Sequence, residues 1–167
     1  TWTYDEKAKA WYFHRFFDFQ PDLNTANPAV RAEILKIMGF WLELGVSGFR
    51  VDAVPFLFAE DALPKAEQHF PTYDPHEFLR HLSAFVSHRG GDIVLLGEVN
   101  VPFADQKKFF GGNDGDELTM QFDFMSMQAA YLAFARGDAR PLATSLRKRP
   151  KTDRVSQWGN FLRNHDE

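Results

Sequence analysis

Apolar positions along the 167 residues change period from segment to segment, and the periods predict helices alternating with strands. Val30, Ile34, Ile37, Met38 and Trp41 recur at helical spacing and predict one apolar helix face. Asn27 suits the N-cap, Pro28 the first turn and Gly45 the stop, so the helix is expected from 28 to about 45. A strand follows over about 47–54, where alternation puts Arg50 and Asp52 on one face and Phe49 and Val51 on the other. Asp74, Pro75 and Glu77 open a second helix over 75–88, with Phe78, Leu79, Leu82, Phe85 and Val86 as its buried stripe. The unbroken run Ile93-Val94-Leu95-Leu96 reads as a strand covered on both faces, as in a parallel sheet.

The remaining pattern predicts a short helix over 103–110, a turn-rich loop over 111–116 and a strand over 120–124. Helices over 126–136 and 140–147 and a last strand over 158–163 complete it. Residues 1–27 read as irregular, with Trp2, Tyr4, Trp11, Tyr12, Phe13, Phe16, Phe17 and Phe19 packed on something else. The order strand, helix, strand implies an α/β fold with a parallel sheet. Four such strands fit half of a (β/α)8 TIM barrel, which needs roughly 250 residues when complete. A doubly wound sheet stays open on pattern alone.

Composition narrows the class. Hydrophobic residues make up 44% and charged residues 25%, the balance of a soluble globular domain. No apolar stretch approaches the roughly 20 residues of a membrane span. The net charge of −4, with no basic stripe, argues against nucleic acid as a partner. The one basic run, Arg147 to Lys151, reads as a solvated loop. With no cysteine, disulfides and thiolate metal sites are excluded, and the composition fits a reducing cytoplasm. The chain starts at Thr1 and stops at Glu167 without a terminating turn, so a segment of a longer protein is expected.

Three acidic residues fall at the C-terminal ends of three expected strands: Asp52, Glu98 and Asp166. Barrels collect catalytic groups on that edge. Cleavage of a glycosidic bond with retention needs one carboxylate nucleophile and one carboxylic acid, about 5–5.5 Å apart. Arg50 can keep Asp52 ionised, and the apolar run ending at Gly97 favours a protonated Glu98. Asp166 and His165 can grip sugar hydroxyls and steady positive charge. Each residue alone has a plainer reading: a structural ion pair, a helix N-terminal acid, a surface histidine. Carboxylates on successive strand ends could also hold Mg²⁺, but Arg50 beside Asp52 disfavours a cation there.

The segment Gly48-Phe49-Arg50-Val51-Asp52-Ala53-Val54-Pro55 resembles the nucleophile strand of the α-amylase family, glycoside hydrolase family 13. Leu96-Gly97-Glu98-Val99-Asn100 resembles its acid/base strand, and Phe161-Leu162-Arg163-Asn164-His165-Asp166 its stabiliser strand. Order and spacing agree, and the resemblance covers essentially the whole chain. It implies Asp52 as nucleophile with Arg50 as partner, Glu98 as acid/base and Asp166 as stabiliser. Arg50, His165, Ala53, Val54 and Asn100 would face the sugar. The implied fold is strands 4 to 7 of the family barrel over 28–167, with residues 1–27 the tail of an inserted domain.

Gln20-Pro21-Asp22-Leu23-Asn24 resembles the marker of the oligo-1,6-glucosidase branch, which also holds α-glucosidases and trehalose synthases. Ala53 accompanies α-1,4 specificity in that branch, and Val54-Pro55 stands where starch-cleaving α-amylases place Lys-His. The resemblance therefore implies hydrolysis of, or transfer from, small α-glucosides such as maltose, with maltose isomerisation to trehalose as the alternative. Some relatives keep the barrel as a non-catalytic module, but those typically lose the carboxylates. No cofactor is demanded. Calcium occurs in the family, and Asp22 is its candidate ligand here. The oligomeric state is left open. An open half-barrel exposes strand edges, so this stretch alone is expected to have no turnover.

Overall fold

A computed structural model describes residues 1–57, 74–112, 114–152 and 156–165. Asn27 caps helix α1 (Pro28–Glu43): its side chain accepts the Ala29 N–H at 2.9 Å, and Pro28 has no N–H to leave unsatisfied. Gly45, at φ +91°, ends the helix, and the Val46 N–H returns to the Trp41 carbonyl at 3.1 Å. Helix α2 (Pro75–Ser87) is capped in the same way, with the Asp74 carboxylate accepting the His76 N–H at 2.9 Å.

A hairpin of β1 (Trp2–Asp5) and β2 (Ala10–Phe13) opens the chain, so residues 1–27 are less irregular than expected. Cross-strand aromatic pairs hold it. Trp2 meets Phe13 edge-on at 5.5 Å, and Tyr4 meets Trp11 at 5.4 Å.

The central sheet is parallel, in the order β3 (Gly48–Val51), β4 (Val94–Gly97), β5 (Met120–Phe122) and β6 (Gln157–Gly159). Helix α2 links β3 to β4. A single turn, α3 (Phe103–Gln106), continues as a 3-10 turn to Phe110 and leads to β5. Helices α4 (Phe124–Arg136) and α5 (Arg140–Lys148) lead to β6. Sequence neighbours are sheet neighbours throughout, without the reversal that marks a doubly wound sheet. This is the order of a (β/α) barrel, but the sheet is open and the barrel is not closed.

Register shows which face is core. Phe49 lies beside Leu95, and Arg50 beside Leu96, which in turn lies beside Met120. Phe49, Val51 and Leu95 join Met38 of α1 and Phe78, Leu79, Leu82 and Val86 of α2 in one hydrophobic cluster. Each fully buried Leu or Phe there is worth about 1.5–3 kcal/mol relative to exposure. Arg50 is therefore on the opposite, open face.

Four details differ from the pattern. Strand β3 stops at Val51, so Asp52 sits in the turn beyond it. The last strand is 157–159 rather than 158–163, because Phe161 leaves the sheet and packs its ring on Phe122 and Phe124 at 5.1 and 5.0 Å. Helix α1 is apolar nearly all round: Ile34, Leu35, Met38 and Leu42 pack on the core, while Ile37 and Trp41 are exposed. The basic run belongs to the end of α5 and the residues after it, and Arg149 reaches the fully buried carboxylate of Asp123 at 3.0 Å. Among the described residues no helix is long and apolar enough to cross a membrane.

Candidate active site

Glu98 follows β4 directly, and backbone hydrogen bonds tie it to the turn after β3. Its N–H donates to the Val51 carbonyl at 2.9 Å, and its own carbonyl accepts the Val54 N–H at 3.1 Å. The two strand ends are thereby held side by side, and their side chains converge on the open face.

Arg50 joins the two carboxylates. One guanidinium nitrogen donates to Asp52 Oδ1 at 2.5 Å and the other to Glu98 Oε2 at 2.8 Å. Both sit on the planar fork of one side chain, so the carboxylates are held close together and in fixed orientation. The Asp52 side chain is 70% exposed, whereas that of Glu98 is 19% exposed. Burial pushes the Glu98 carboxyl above its ordinary range, and the Asp52 carboxylate beside it adds to the rise. The Ala53 N–H and the Arg50 charge act against it without reversing it. An exposed carboxylate with a cation on it thus stands beside a more sheltered carboxyl whose pKa burial raises, the kind of pair that retaining glycoside cleavage needs.

Ala53 is half-buried in this turn, and Asn100 is exposed just after Glu98. Val54 departs from the expected sugar contact: its side chain is wholly buried in the hydrophobic cluster. His165 is exposed beyond β6. Asp166 lies outside the described residues.

Sequence reasoning missed how much of the N-terminal segment reaches this site. A cavity of about 580 Å³ is lined by Phe16, Gln20, Asp22, Arg50, Asp52 and Phe56, among others. The rings of Phe16 and Phe56 meet edge-on at 5.7 Å, and the Arg15 guanidinium lies 5.0 Å from the Phe56 ring centre. Thr25 Oγ1 donates to the Leu57 carbonyl at 2.7 Å. The available signals were the aromatic density of residues 1–27 and the motif Gln20-Pro21-Asp22-Leu23-Asn24. Asp22 lies at the cavity edge, where its Oδ1 accepts the Arg15 backbone N–H at 3.3 Å. Among the described residues no group of three or more His, Asp or Glu side chains is placed to hold a metal.

A second arginine-bridged pair lies elsewhere. Arg80 donates to Asp74 Oδ2 at 2.7 Å and reaches Glu117 Oε1 at 3.4 Å. His76 Nδ1 is 2.8 Å from Glu117 Oε2 and 3.1 Å from Oε1. Burial raises the Glu117 carboxyl above its usual range.

The parallel sheet thus carries two carboxylates bridged by one arginine at adjacent strand ends. The alpha amylase catalytic domain family matches residues 1–167, and the chain belongs to that family. It is 40% identical to the trehalose synthase/amylase TreS of Mycolicibacterium smegmatis over 99% of this chain and 28% of that protein. It is 32% identical to the oligo-1,6-glucosidase of Bacillus cereus, over 99% of this chain and 33% of that protein. The chain thus spans about a third or less of the length of these relatives. Among solved structures, the isomaltulose synthase of Erwinia rhapontici superposes with a TM-score of 0.68 at 27% identity, covering 99% of this chain and 32% of that one. The α-amylase from H. orenii gives 0.74 at 21% identity, over 99% and 32%, a likeness of fold.

Proposed function

We propose that this chain carries the working carboxylates of a retaining α-glucoside hydrolase or glucosyltransferase acting on small α-1,4-linked glucosides such as maltose. The observation that carries the reading is the single guanidinium shared by Asp52 and Glu98. An Asp52 oxygen attacks the anomeric carbon as the bond to the leaving oxygen breaks, and Glu98 gives that oxygen its proton. This leaves a glucosyl ester on Asp52 and an ionised Glu98. Glu98 then takes a proton from water or from a sugar hydroxyl, whose oxygen attacks the same carbon and frees Asp52. Water gives hydrolysis, and a sugar hydroxyl gives transfer. Asp166 steadies the positive charge in both steps, and His165 and Asn100 contact the sugar.

Isomerisation of maltose to trehalose is the second reading, favoured by the 40% identity to a trehalose synthase/amylase across 99% of the chain. In either case residues 28–167 form strands 4 to 7 of the barrel, and residues 1–27 the tail of an inserted domain against its mouth. The absence of cysteine suits a cytoplasmic protein.

The test is incubation of the full-length polypeptide with maltose and chromatography of the products, with Asp52→Asn as control. Glucose alone identifies an α-glucosidase, and trehalose identifies the isomerase. Asp52→Asn is expected to lose on the order of 10⁴-fold or more in turnover. No product from any α-glucoside favours a non-catalytic barrel module instead, and full activity in Asp52→Asn removes Asp52 as the nucleophile.

A further inference from the structure

We infer that Gln106 is a positioning residue for the acid/base segment: its buried amide holds the Val99 carbonyl and so fixes the chain that leaves Glu98. The inference rests on the reading of Glu98 as acid/base. The Glu98 carboxyl is oriented by Arg50, the Ala53 N–H and Asp52. The Glu98 backbone is tied to Val51 and Val54 through its own N–H and carbonyl. All of these bonds come from β3 and the turn after it. Beyond Glu98 the chain turns away from β3 and runs towards α3.

Gln106, the last residue of α3, holds that outgoing chain. Its side chain is wholly buried, and Nε2 donates to the Val99 carbonyl at 2.5 Å. The same nitrogen faces the carbonyl of Phe122, the last residue of β5, at 3.4 Å. Two carbonyl oxygens converge on one end of the amide, so its nitrogen and not its oxygen lies there. One side chain thus spans from the residue after Glu98 to the end of the next strand. Glu98 is held on the β3 side by the turn and on the β5 side by Gln106.

A second amide fixes the first. Gln121 lies on β5 beside Gly97 and Trp158 and is also wholly buried. Its Nε2 donates to the Gln106 backbone carbonyl at 2.9 Å, which anchors the end of the short α3. The Oε1 atoms of Gln106 and Gln121 receive no donor from the described residues. Burying an amide whose oxygen is unanswered works against stability. A layer built for stability alone would carry apolar side chains of similar length in both places. What the Gln106 amide adds is a directed bond to the segment that bears the acid/base.

The test compares variants of the full-length polypeptide on two substrates. For each, kcat/KM reports cleavage of the first glycosidic bond. Maltose needs a proton on its leaving oxygen, whereas a dinitrophenyl α-glucoside needs little help. Gln106→Met keeps the length of the side chain but has no donor. It is expected to lower kcat/KM about 10-fold for maltose and far less for the dinitrophenyl glucoside, because Glu98 shifts from the leaving oxygen. Gln106→Asn keeps an amide that is one methylene too short for Val99, and should show the same selective loss. Gln121→Met leaves the Val99 bond in place and should change the ratio between substrates less. A Gln106→Met that slows both substrates equally, or neither, overturns the inference. A Gln121→Met with as large a selective loss also overturns it, since any change in the layer would then act alike. So does a wild-type ratio in Gln106→Asn, a result readable even if the methionine variants do not fold. Glu98→Gln separates the two levels. If it loses no more on maltose than on the dinitrophenyl glucoside, the acid/base reading itself fails. If it does lose more on maltose while the Gln106 variants do not, only the role of Gln106 fails.

Discussion

Two clusters in this molecule are built from the same parts. In each, one arginine bridges an exposed aspartate and a more sheltered glutamate whose pKa is raised by burial: Arg50 with Asp52 and Glu98, Arg80 with Asp74 and Glu117. They differ in what is left over. Both oxygens of Glu117 are taken up by His76 and Arg80, and its side chain is only 3% exposed. In Glu98 the N–H donors converge on Oε2, and the side chain opens towards the turn that bears Asp52. A saturated carboxylate holds helix α2 to the loop before β5. A carboxylate with one oxygen in reserve can move a proton. A perturbed pKa beside an arginine does not identify an active site by itself, and the hydrogen-bond inventory decides.

Exchanging the arginines is the sharpest way to break the comparison. Arg50→Lys keeps the charge but loses the fork, and should lower kcat/KM about 10²-fold, because small displacements of reacting groups cost that much. Arg80→Lys should leave kcat/KM near wild type, and equal losses in the two variants would erase the distinction. The pH profile of kcat/KM sharpens it further. With Glu98 raised, the alkaline limb should lie above the ordinary carboxylate range, and a limb inside that range contradicts a sheltered acid.

His76→Ala should act on stability alone. It leaves Glu117 with one long contact to Arg80, and costs about 3 kcal/mol by thermal or denaturant unfolding. Because the folded pKa of Glu117 is raised, its neutral form favours the folded state at low pH, and that contribution is lost as pH rises through the folded value. The penalty of His76→Ala should therefore be smallest in acid and grow towards neutrality. A penalty that grows towards acid would reverse the assignment. The smallest effect is expected at Gly97→Ala, where a Cβ would overlap Cδ1 of the buried Leu118. About 1–2 kcal/mol of destabilisation should follow, and an unchanged unfolding midpoint would mean that Leu118 yields freely.

Much of this was legible in the sequence because it is encoded locally. The caps at Asn27 and Asp74 are side chains bonding to their own helices, and the stripe Phe78, Leu79, Leu82, Phe85 and Val86 needs only helical geometry to be read. What stayed hidden depends on partners distant in sequence. The hairpin is held by Trp2–Phe13 and Tyr4–Trp11 across a turn with no glycine, where Lys9 takes the positive φ. Helix α1 has apolar residues on every side, so periodicity could not choose between Trp41, which is exposed, and Leu42, which packs on the core. The shared guanidinium of Arg50 needed the register of β3 on β4 before its second partner could be named. The left-handed turn at Ala53 has no signature in an alanine at all.

The central claim is that Asp52 becomes covalently bonded to sugar while Glu98 serves as the acid. The most direct measurement is mass spectrometry of the full-length polypeptide after reaction with a fluorinated α-glucosyl fluoride, which forms the ester readily and releases it slowly. The account predicts one added glycosyl group on the peptide containing Asp52, absent in Asp52→Asn. Label on any other carboxylate, or turnover of the probe with no label at all, would contradict it.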